Sequence, residues 1–350
     1  YTLKEILCDR EIACDSAVLQ MISADEYQAY GTTLINFAEK ISSFSSPLAV
    51  GMSGNFRQMK RRILNIAVFR KETLYQKMRA LIIYLVISAV FIGCTPILSI
   101  DASTQSVYHF SDTDKNISLL DISETFGTYD GSFVLYDNNL DSWKIYDLEE
   151  ATKRIPPEST YKIYDALLGL ESGIITPEHS SMTWNGDAFP FPSWEADQDL
   201  NSAMQNSVNW YFQAIDSQLG INRVQEFLNK IEYGNQTTSS NLDLYWSDFS
   251  LKISPLEQVT LLKKFNTNEF HLNSQNVFSV KNAIKIASTP NGNFYGKTGT
   301  GRVNGQDING WFIGYVETSD NSYYFATNIQ SDSNATGKKA FEITSDILKK

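Results

Sequence analysis

Pro157-Glu158-Ser159-Thr160-Tyr161-Lys162 runs directly into Ile163-Tyr164-Asp165-Ala166-Leu167-Leu168-Gly169-Leu170, so a hydroxyl and an amine precede an almost unbroken apolar run. Proline ahead of a small hydroxyl residue is a helix-start signal, and residues three apart share a helix face, which sets Ser159 beside Lys162. A serine hydroxyl is a poor nucleophile at neutral pH and needs a neighbour to take its proton. A lysine desolvated at the buried start of an apolar helix is shifted towards its neutral amine and can be that base. In a first helical turn the hydroxyl also lies where backbone N–H groups can hold a developing oxyanion. The S-x-x-K spacing alone is common, and a capped helix with a solvent-facing lysine shares it. Its meaning depends on the rest of the chain.

Two further motifs accompany it in order. Ser207-Val208-Asn209 supplies a second hydroxyl able to relay a proton to a leaving group. Lys297-Thr298-Gly299-Thr300 lies in a strand-like stretch, where Gly299 allows close backbone approach and Lys297 offers charge to an anionic ligand. A backbone N–H near Thr300 can complete an oxyanion pair with that of Ser159. Around these motifs, Gly131 to Asp147 reads as a hairpin turning at Asn138-Asn139, about Asp199 to Leu262 as mainly helical, and Gly292–Gly301, Gly310–Val316 and Ser322–Ile329 as strands. A closing helix is expected over Lys338–Lys350. Strands at both ends of a helical middle imply an α+β domain: one antiparallel sheet with a helical subdomain inserted.

The first third of the chain has a different character. Residues 1–79 carry 11 Lys/Arg against 8 Asp/Glu, whereas the rest carries 18 against 32, within an overall charge of -11. Residues 80–100 (ALIIYLVISAVFIGCTPILSI) contain no charge and are long enough to cross a bilayer as a helix. Arg57 to Arg79 is a basic stretch expected as a loop, with Arg61-Arg62 inside it, while Asp101 opens the other flank. The positive-inside rule then puts residues 1–79 in the cytoplasm and residues 101–350 outside the cell membrane. Residues 101–127 read as a polar extracellular linker to a domain at 128–350. The chain opens without Met on a helical pattern, Lys4 to Met21, as a fragment of something longer would. Ser23-Ala24-Asp25-Glu26 reads as a capping box opening a second helix through about Ile41. All three cysteines precede residue 100, so no disulfide framework is available beyond it.

S-x-x-K, S-x-N and K-T-G in this order form the signature set of penicillin-recognising serine enzymes. With Trp184-Asn185-Gly186, Asp197-Gln198-Asp199-Leu200, Tyr233-Gly234-Asn235, Trp246, Lys252-Ile253-Ser254-Pro255 and Gly310-Trp311-Phe312, the part after residue 100 resembles a class D β-lactamase, a penicillin-binding transpeptidase-like fold. Asp9-Arg10-Glu11-Ile12-Ala13-Cys14-Asp15 resembles the downstream motif of membrane-embedded zinc peptidases, in which the Glu is the third zinc ligand and the Asp supports a histidine ligand. That resemblance implies Glu11 as a zinc ligand and Asp15 as the support of a histidine ligand. The only histidines, His109, His179 and His271, lie beyond the apolar stretch, so this chain cannot complete such a site.

Together the parts resemble the β-lactam sensor-transducers that induce penicillinase or methicillin-resistance genes in Gram-positive bacteria. The resemblance implies that β-lactam antibiotics acylate Ser159, that Lys162 carrying a CO2-derived carbamate is the base, and that the signal crosses the membrane to a zinc peptidase, leading to loss of a cytoplasmic repressor. Membrane lipid is the other expected partner, and no direct nucleic-acid contact is expected. The resemblance further implies that Trp246 donates to the carbamate, with core packing as the alternative. Lys338 stands where class D enzymes use an arginine for the drug carboxylate, so either it substitutes as a point charge or Thr298 and Thr300 carry more of that contact. Class D hydrolases carry an apolar residue where this chain has Asn209. The Asn209 amide is expected to bond near Lys162 and favour release of CO2 after acylation, which leaves a long-lived acyl-protein. A membrane-anchored class D β-lactamase is the alternative, and a zinc peptidase with an outer lid is a third reading. Arg61-Arg62 is either a cleavage point or a topogenic anchor. Tyr233-Gly234-Asn235 reads as a glycine-supported turn.

Overall fold

A computed structural model describes residues 3–42, 56–71, 75, 78–79, 81–84, 88, 106–111, 113, 115–239 and 241–349, in two units, Tyr1–Pro96 and Ile97–Lys350. Of the apolar stretch 80–100, read as a membrane-spanning helix, only residues 81–84 and 88 are among those described. Among those described, no helix is long and apolar enough to cross a membrane.

In the first unit, helices α1 (Leu3–Met21) and α2 (Tyr27–Ser42) both pack against α3 (Phe56–Val68). The capping box forms, with the Ser23 N–H donating to the Glu26 carboxylate at 2.9 Å, and a short turn at Ala24–Glu26 leads into α2. The basic stretch differs from its expected loop. It is helical as far as Val68, because Met59, Ile63 and Ile66 recur at helical spacing and its charges take the other positions. Arg62 is therefore held within a helix. Its guanidinium donates to both oxygens of the buried Asp15, each at 2.7 Å.

In the second unit, seven strands build one sheet: β1 (Asn116–Leu119), β2 (Asp130–Asp137), β3 (Ser142–Tyr146), β4 (Lys285–Thr289), β5 (Gly292–Val303), β6 (Gln306–Glu317) and β7 (Ser322–Gln330), in the order β1-β3-β2-β7-β6-β5-β4. N- and C-terminal strands meet where β2 pairs antiparallel with β7. The expectation of a wholly antiparallel sheet is corrected at one edge, since β1 pairs parallel with β3. β1 falls in the stretch read as a polar linker. Its four residues, Asn116-Ile117-Ser118-Leu119, do alternate polar and apolar, a period-two signal that the reading as a polar linker passed over.

Each face of the sheet has its own apolar core because side chains alternate along a strand. On β6, Trp311, Ile313 and Tyr315 face one core, while Phe312 faces the other with Phe133 of β2 and Phe325 of β7. The smaller core is closed by the C-terminal helix, Gly337–Leu348, through Ala340 and Ile343. The larger core joins the sheet to helices α4 (Lys162–Glu171), α5 (Leu200–Gln205), α6 (Asn209–Leu219), α7 (Ile221–Ile231), α8 (Pro255–Asn266) and α9 (Ser274–Ala283), leaving the C-terminal helix as α10. Every residue of α4 from Lys162 to Leu170 is buried. A helix apolar all round must sit inside a core, and the two charged residues it carries there, Lys162 and Asp165, are costly unless compensated.

Candidate active site

Ser159 lies in a 3-10 turn, Glu158–Tyr161, that leads into α4, where residues three apart nearly eclipse. Lys162 Nζ lies within hydrogen-bond reach of Ser159 Oγ at 3.0 Å, of the Ser207 carbonyl oxygen at 2.8 Å and its Oγ at 3.2 Å, and of Asn209 Oδ1 at 2.6 Å. A charged lysine has only three N–H donors for these four oxygens, and a neutral amine has two. The shell is thus richer in acceptors than an amine can use. Burial nevertheless pushes the Lys162 pKa well below that of a free lysine, with the nearby Lys297 charge adding to the effect.

Ser207 sits just before α6 in a left-handed conformation, φ 55°, a strained backbone for a serine. That conformation aims its hydroxyl between two lysines, since Lys297 Nζ donates to Ser207 Oγ at 2.9 Å and to the Thr298 carbonyl at 2.9 Å. Burial brings the Lys297 pKa down to about 7. Strand β5 lies directly against the nucleophile's turn: a Cβ on Gly299 would stand 3.2 Å from the Ser159 nitrogen and 3.1 Å from the Pro157 oxygen. The half-buried Thr298 and exposed Thr300 flank that approach. Thr300 Oγ1 accepts the Gly337 N–H at 2.9 Å, so the start of α10 is tied to β5, and the exposed Lys338 is the next residue. A cavity of about 450 Å³ opens beside Lys297 and Thr298, bounded by Met204, Gln205, Ile284 and Lys285.

Sequence reasoning passed over Glu158. Its backbone is left-handed, φ 52°, and its N–H donates to the Trp246 carbonyl at 3.1 Å. The side chain is buried against β5 and β6, accepting from Asn309 Nδ2 at 3.2 Å, and burial raises its pKa to about 8. Asn309 Nδ2 and Trp311 Nε1 both donate to the Pro156 carbonyl, at 3.1 and 2.8 Å, which fixes the turn from below. Asp165 and Asp216 were also passed over, although a lone carboxyl inside the apolar run of α4 was a visible signal. Tyr233-Gly234-Asn235 is a clamp on the strand-like segment opposite, with Gly234 at φ 53° and the Asn235 amide bonded to Ser250 and Lys252.

The site fits a lysine carbamate in one respect. The Trp246 indole N–H is buried with no hydrogen-bond acceptor among the described residues, and Lys162 Nζ lies 5.1 Å from that ring, so a carbamate oxygen would find a donor there. The zinc assignment fits poorly. Both Asp15 oxygens are taken by Arg62, Tyr30 also donates to one of them, and Arg62 approaches Glu11 at 3.7 Å. No group of three His, Cys, Asp or Glu side chains suited to a metal exists among the described residues.

Residues 128–349 match the family model described as penicillin binding protein transpeptidase domain, and residues 1–66 match BlaR1 peptidase M56. The chain is 42% identical over its whole length to "Regulatory protein BlaR1" of Bacillus licheniformis, spanning 58% of that relative's own length. Among solved structures, "C-terminal domain of the Bacillus licheniformis BlaR penicillin-receptor" superposes at TM-score 0.66 and 46% identity, covering 67% of this chain and 96% of that one. "Class D beta-lactamase BAT-2" superposes at TM-score 0.62 and 36% identity, covering 66% of this chain and 94% of that one.

Proposed function

Because the chain belongs to the penicillin-binding protein transpeptidase family, in its BlaR1-type regulatory branch, we propose that it is the larger part of a membrane β-lactam receptor, acylated at Ser159 to give a long-lived acyl-protein. The neutral Lys162 amine takes the Ser159 Oγ proton as that oxygen bonds to the lactam carbonyl carbon. The N–H groups of Ser159 and Thr300 hold the oxyanion. The lactam C–N bond then breaks, and its nitrogen takes a proton relayed through the Ser207 hydroxyl from Lys297, whose Nζ donates to that hydroxyl, so Lys162 keeps the proton it took from Ser159. Lys297, Thr298, Thr300 and Lys338 receive the drug carboxylate on β5 and at the start of α10.

A carbamate on Lys162, held by the Trp246 indole, would supply an oxygen base that stays unprotonated at neutral pH. The observation that carries the receptor reading is the 2.6 Å contact from Lys162 Nζ to Asn209 Oδ1, which favours the ammonium. An ammonium cannot activate water against the ester, so the acyl group stays. Residues 80–100 cross the membrane in this reading, with residues 101–350 outside. The signal passes to the peptidase-like segment and, indirectly, to a repressor. Zinc belongs to the longer protein, and no step here runs through it.

The structural likeness to a class D β-lactamase supports the alternative, a tethered hydrolase. Intact mass of the chain after addition of excess penicillin separates the two. A stoichiometric adduct lasting hours, lost in Ser159→Ala, is expected. Rapid return to the free mass with continued drug consumption would establish the hydrolase instead.

A further inference from the structure

Asp165 lies one turn along α4 from Lys162, and both side chains have no solvent exposure. Residues three apart on a helix are neighbours, with Cβ atoms about 5–6 Å apart. Facing Asp165 from α6 is Asp216, also fully buried. Neither Asp165 oxygen accepts a hydrogen bond from any described residue, and one Asp216 oxygen also lacks a donor. The other takes the Tyr245 hydroxyl at 3.3 Å. Two carboxylates so placed with no donor between them are untenable when both are ionised, whereas one proton held between them gives each a partner. Desolvation and their mutual repulsion raise the Asp165 pKa, and desolvation raises that of Asp216.

We propose that the Asp165–Asp216 carboxyl pair is the charge partner of Lys162, passing from two protons to one shared proton as the lysine gains one and so setting how readily Lys162 leaves its neutral, CO2-accepting amine. The inference deepens the receptor reading and rests on it. In the exchange an O–H bond of the pair is lost and an N–H bond of Lys162 is formed, so the charge of the buried region is conserved. No net charge then has to be moved into the core, which is the costly event in a low-dielectric interior. The pair acts by position, without touching the drug.

The charged and titratable groups around it come from several elements. Lys162 is on α4, Tyr161 on the turn before it, Tyr211 on α6, and Tyr245 on the segment before α8, with the charge of Asp243 also felt at Asp216. Lys162 in turn faces Lys297 of β5 and Glu158 of the turn. The four tyrosine and lysine neighbours on the Lys162 side carry no negative charge near neutrality, which leaves the aspartate pair and Glu158 as the sources of compensating anion.

The test is the titration of the Lys162 Cε resonance in the full chain labelled with 13C-lysine, in buffer free of CO2, the signal being identified by its loss in Lys162→Ala. Asp165→Asn and Asp216→Asn each keep the side-chain shape and remove one of the two carboxyls that can give up a proton. Each is expected to lower the Lys162 midpoint by about one pH unit, a tenfold loss of proton affinity, and to retain 13C-labelled CO2 on Lys162 to correspondingly lower pH. A midpoint unmoved or raised in either folded variant overturns the proposal. Should Asp165→Asn fail to fold, Asp216→Asn decides it. Penicillin adducts measured on the same samples keep the two readings apart. A wild-type chain forming no Ser159 adduct would refute the receptor, whereas a durable adduct with an unmoved Lys162 midpoint would refute only the role of the pair.

Discussion

Replacing Asn209 by valine tests the receptor reading most directly. Asn209 Oδ1 makes the shortest of the four contacts to Lys162 Nζ, 2.6 Å, and the other three, from Ser159 and Ser207, survive the substitution. A hydrogen bond to a charged group contributes about 1.5–3 kcal/mol. At about 1.4 kcal/mol per pH unit, its loss lowers the Lys162 pKa further, by roughly one to two units. Phe212, whose ring centroid lies 5.6 Å from Nζ, is already apolar surroundings for the new side chain, so no replacement acceptor comes from that direction. The amine population in the acyl-protein should rise about tenfold to a hundredfold. A neutral amine can take up CO2 or act on water itself, so the lifetime of the penicillin adduct should fall by a similar factor. Intact mass against time gives the lifetime, and the Lys162 Cε resonance gives the protonation state independently. Asn209→Asp, which keeps the acceptor and adds charge, should leave the adduct as durable as in the wild type. An Asn209→Val adduct with wild-type lifetime and an unmoved Lys162 midpoint would refute the reasoning.

Glu158 supplies a pH dependence of stability. Its pKa is raised to about 8 in the fold, from 4.5 as a free side chain, so the unfolded chain binds fewer protons between those values. Stability from this group is complete below the unfolded pKa and is lost as pH rises through about 8. Glu158→Gln should therefore flatten the fall in melting temperature between pH 5 and pH 9 and exceed the wild type by about 2–4 kcal/mol at the alkaline end. An unchanged slope would mean that Glu158 is ionised in the fold. At Gly234, φ is 53° and an added Cβ would lie 1.9 Å from the Lys252 carbonyl oxygen, a backbone atom that cannot swing aside. Gly234→Ala should cost about 3 kcal/mol or more by denaturant unfolding, and a loss under about 1 kcal/mol would show that the Tyr233–Asn235 clamp yields freely.

Much of this protein was decided locally. Ser159 and Lys162 are three residues apart where the chain turns into an apolar helix, so their 3.0 Å contact follows from short-range geometry once the helix is buried. The hairpin Gly131–Asp147, the strands through Gly299 and Trp311 and the closing helix were legible because their apolar residues alternate or recur at helical spacing. The Asn304-Gly305 turn joining β5 to β6 was equally local, with φ of 49° and 80°, and its residue pair announces a two-residue hairpin that the strand boundaries above stopped short of. The short β1 alternates over four residues only, and its parallel pairing with β3 depends on an edge that other strands create.

Contacts across long separations were decided by tertiary structure. Lys162 meets Asn209 47 residues away and Ser207 meets Lys297 90 residues away, and only packing of α4, α6 and β5 brings those groups within hydrogen-bond reach. The motif order hinted at the convergence without fixing who bonds to whom. The bidentate pair between Asp15 and Arg62 likewise required α3 to fold as a helix where the charge count suggested a loop. Residue type and spacing fix which chemistry a chain can carry. The protonation of Lys162, Lys297, Glu158 and the two aspartates depends on the loss of water and on which charges become neighbours, and both arise only when distant segments pack.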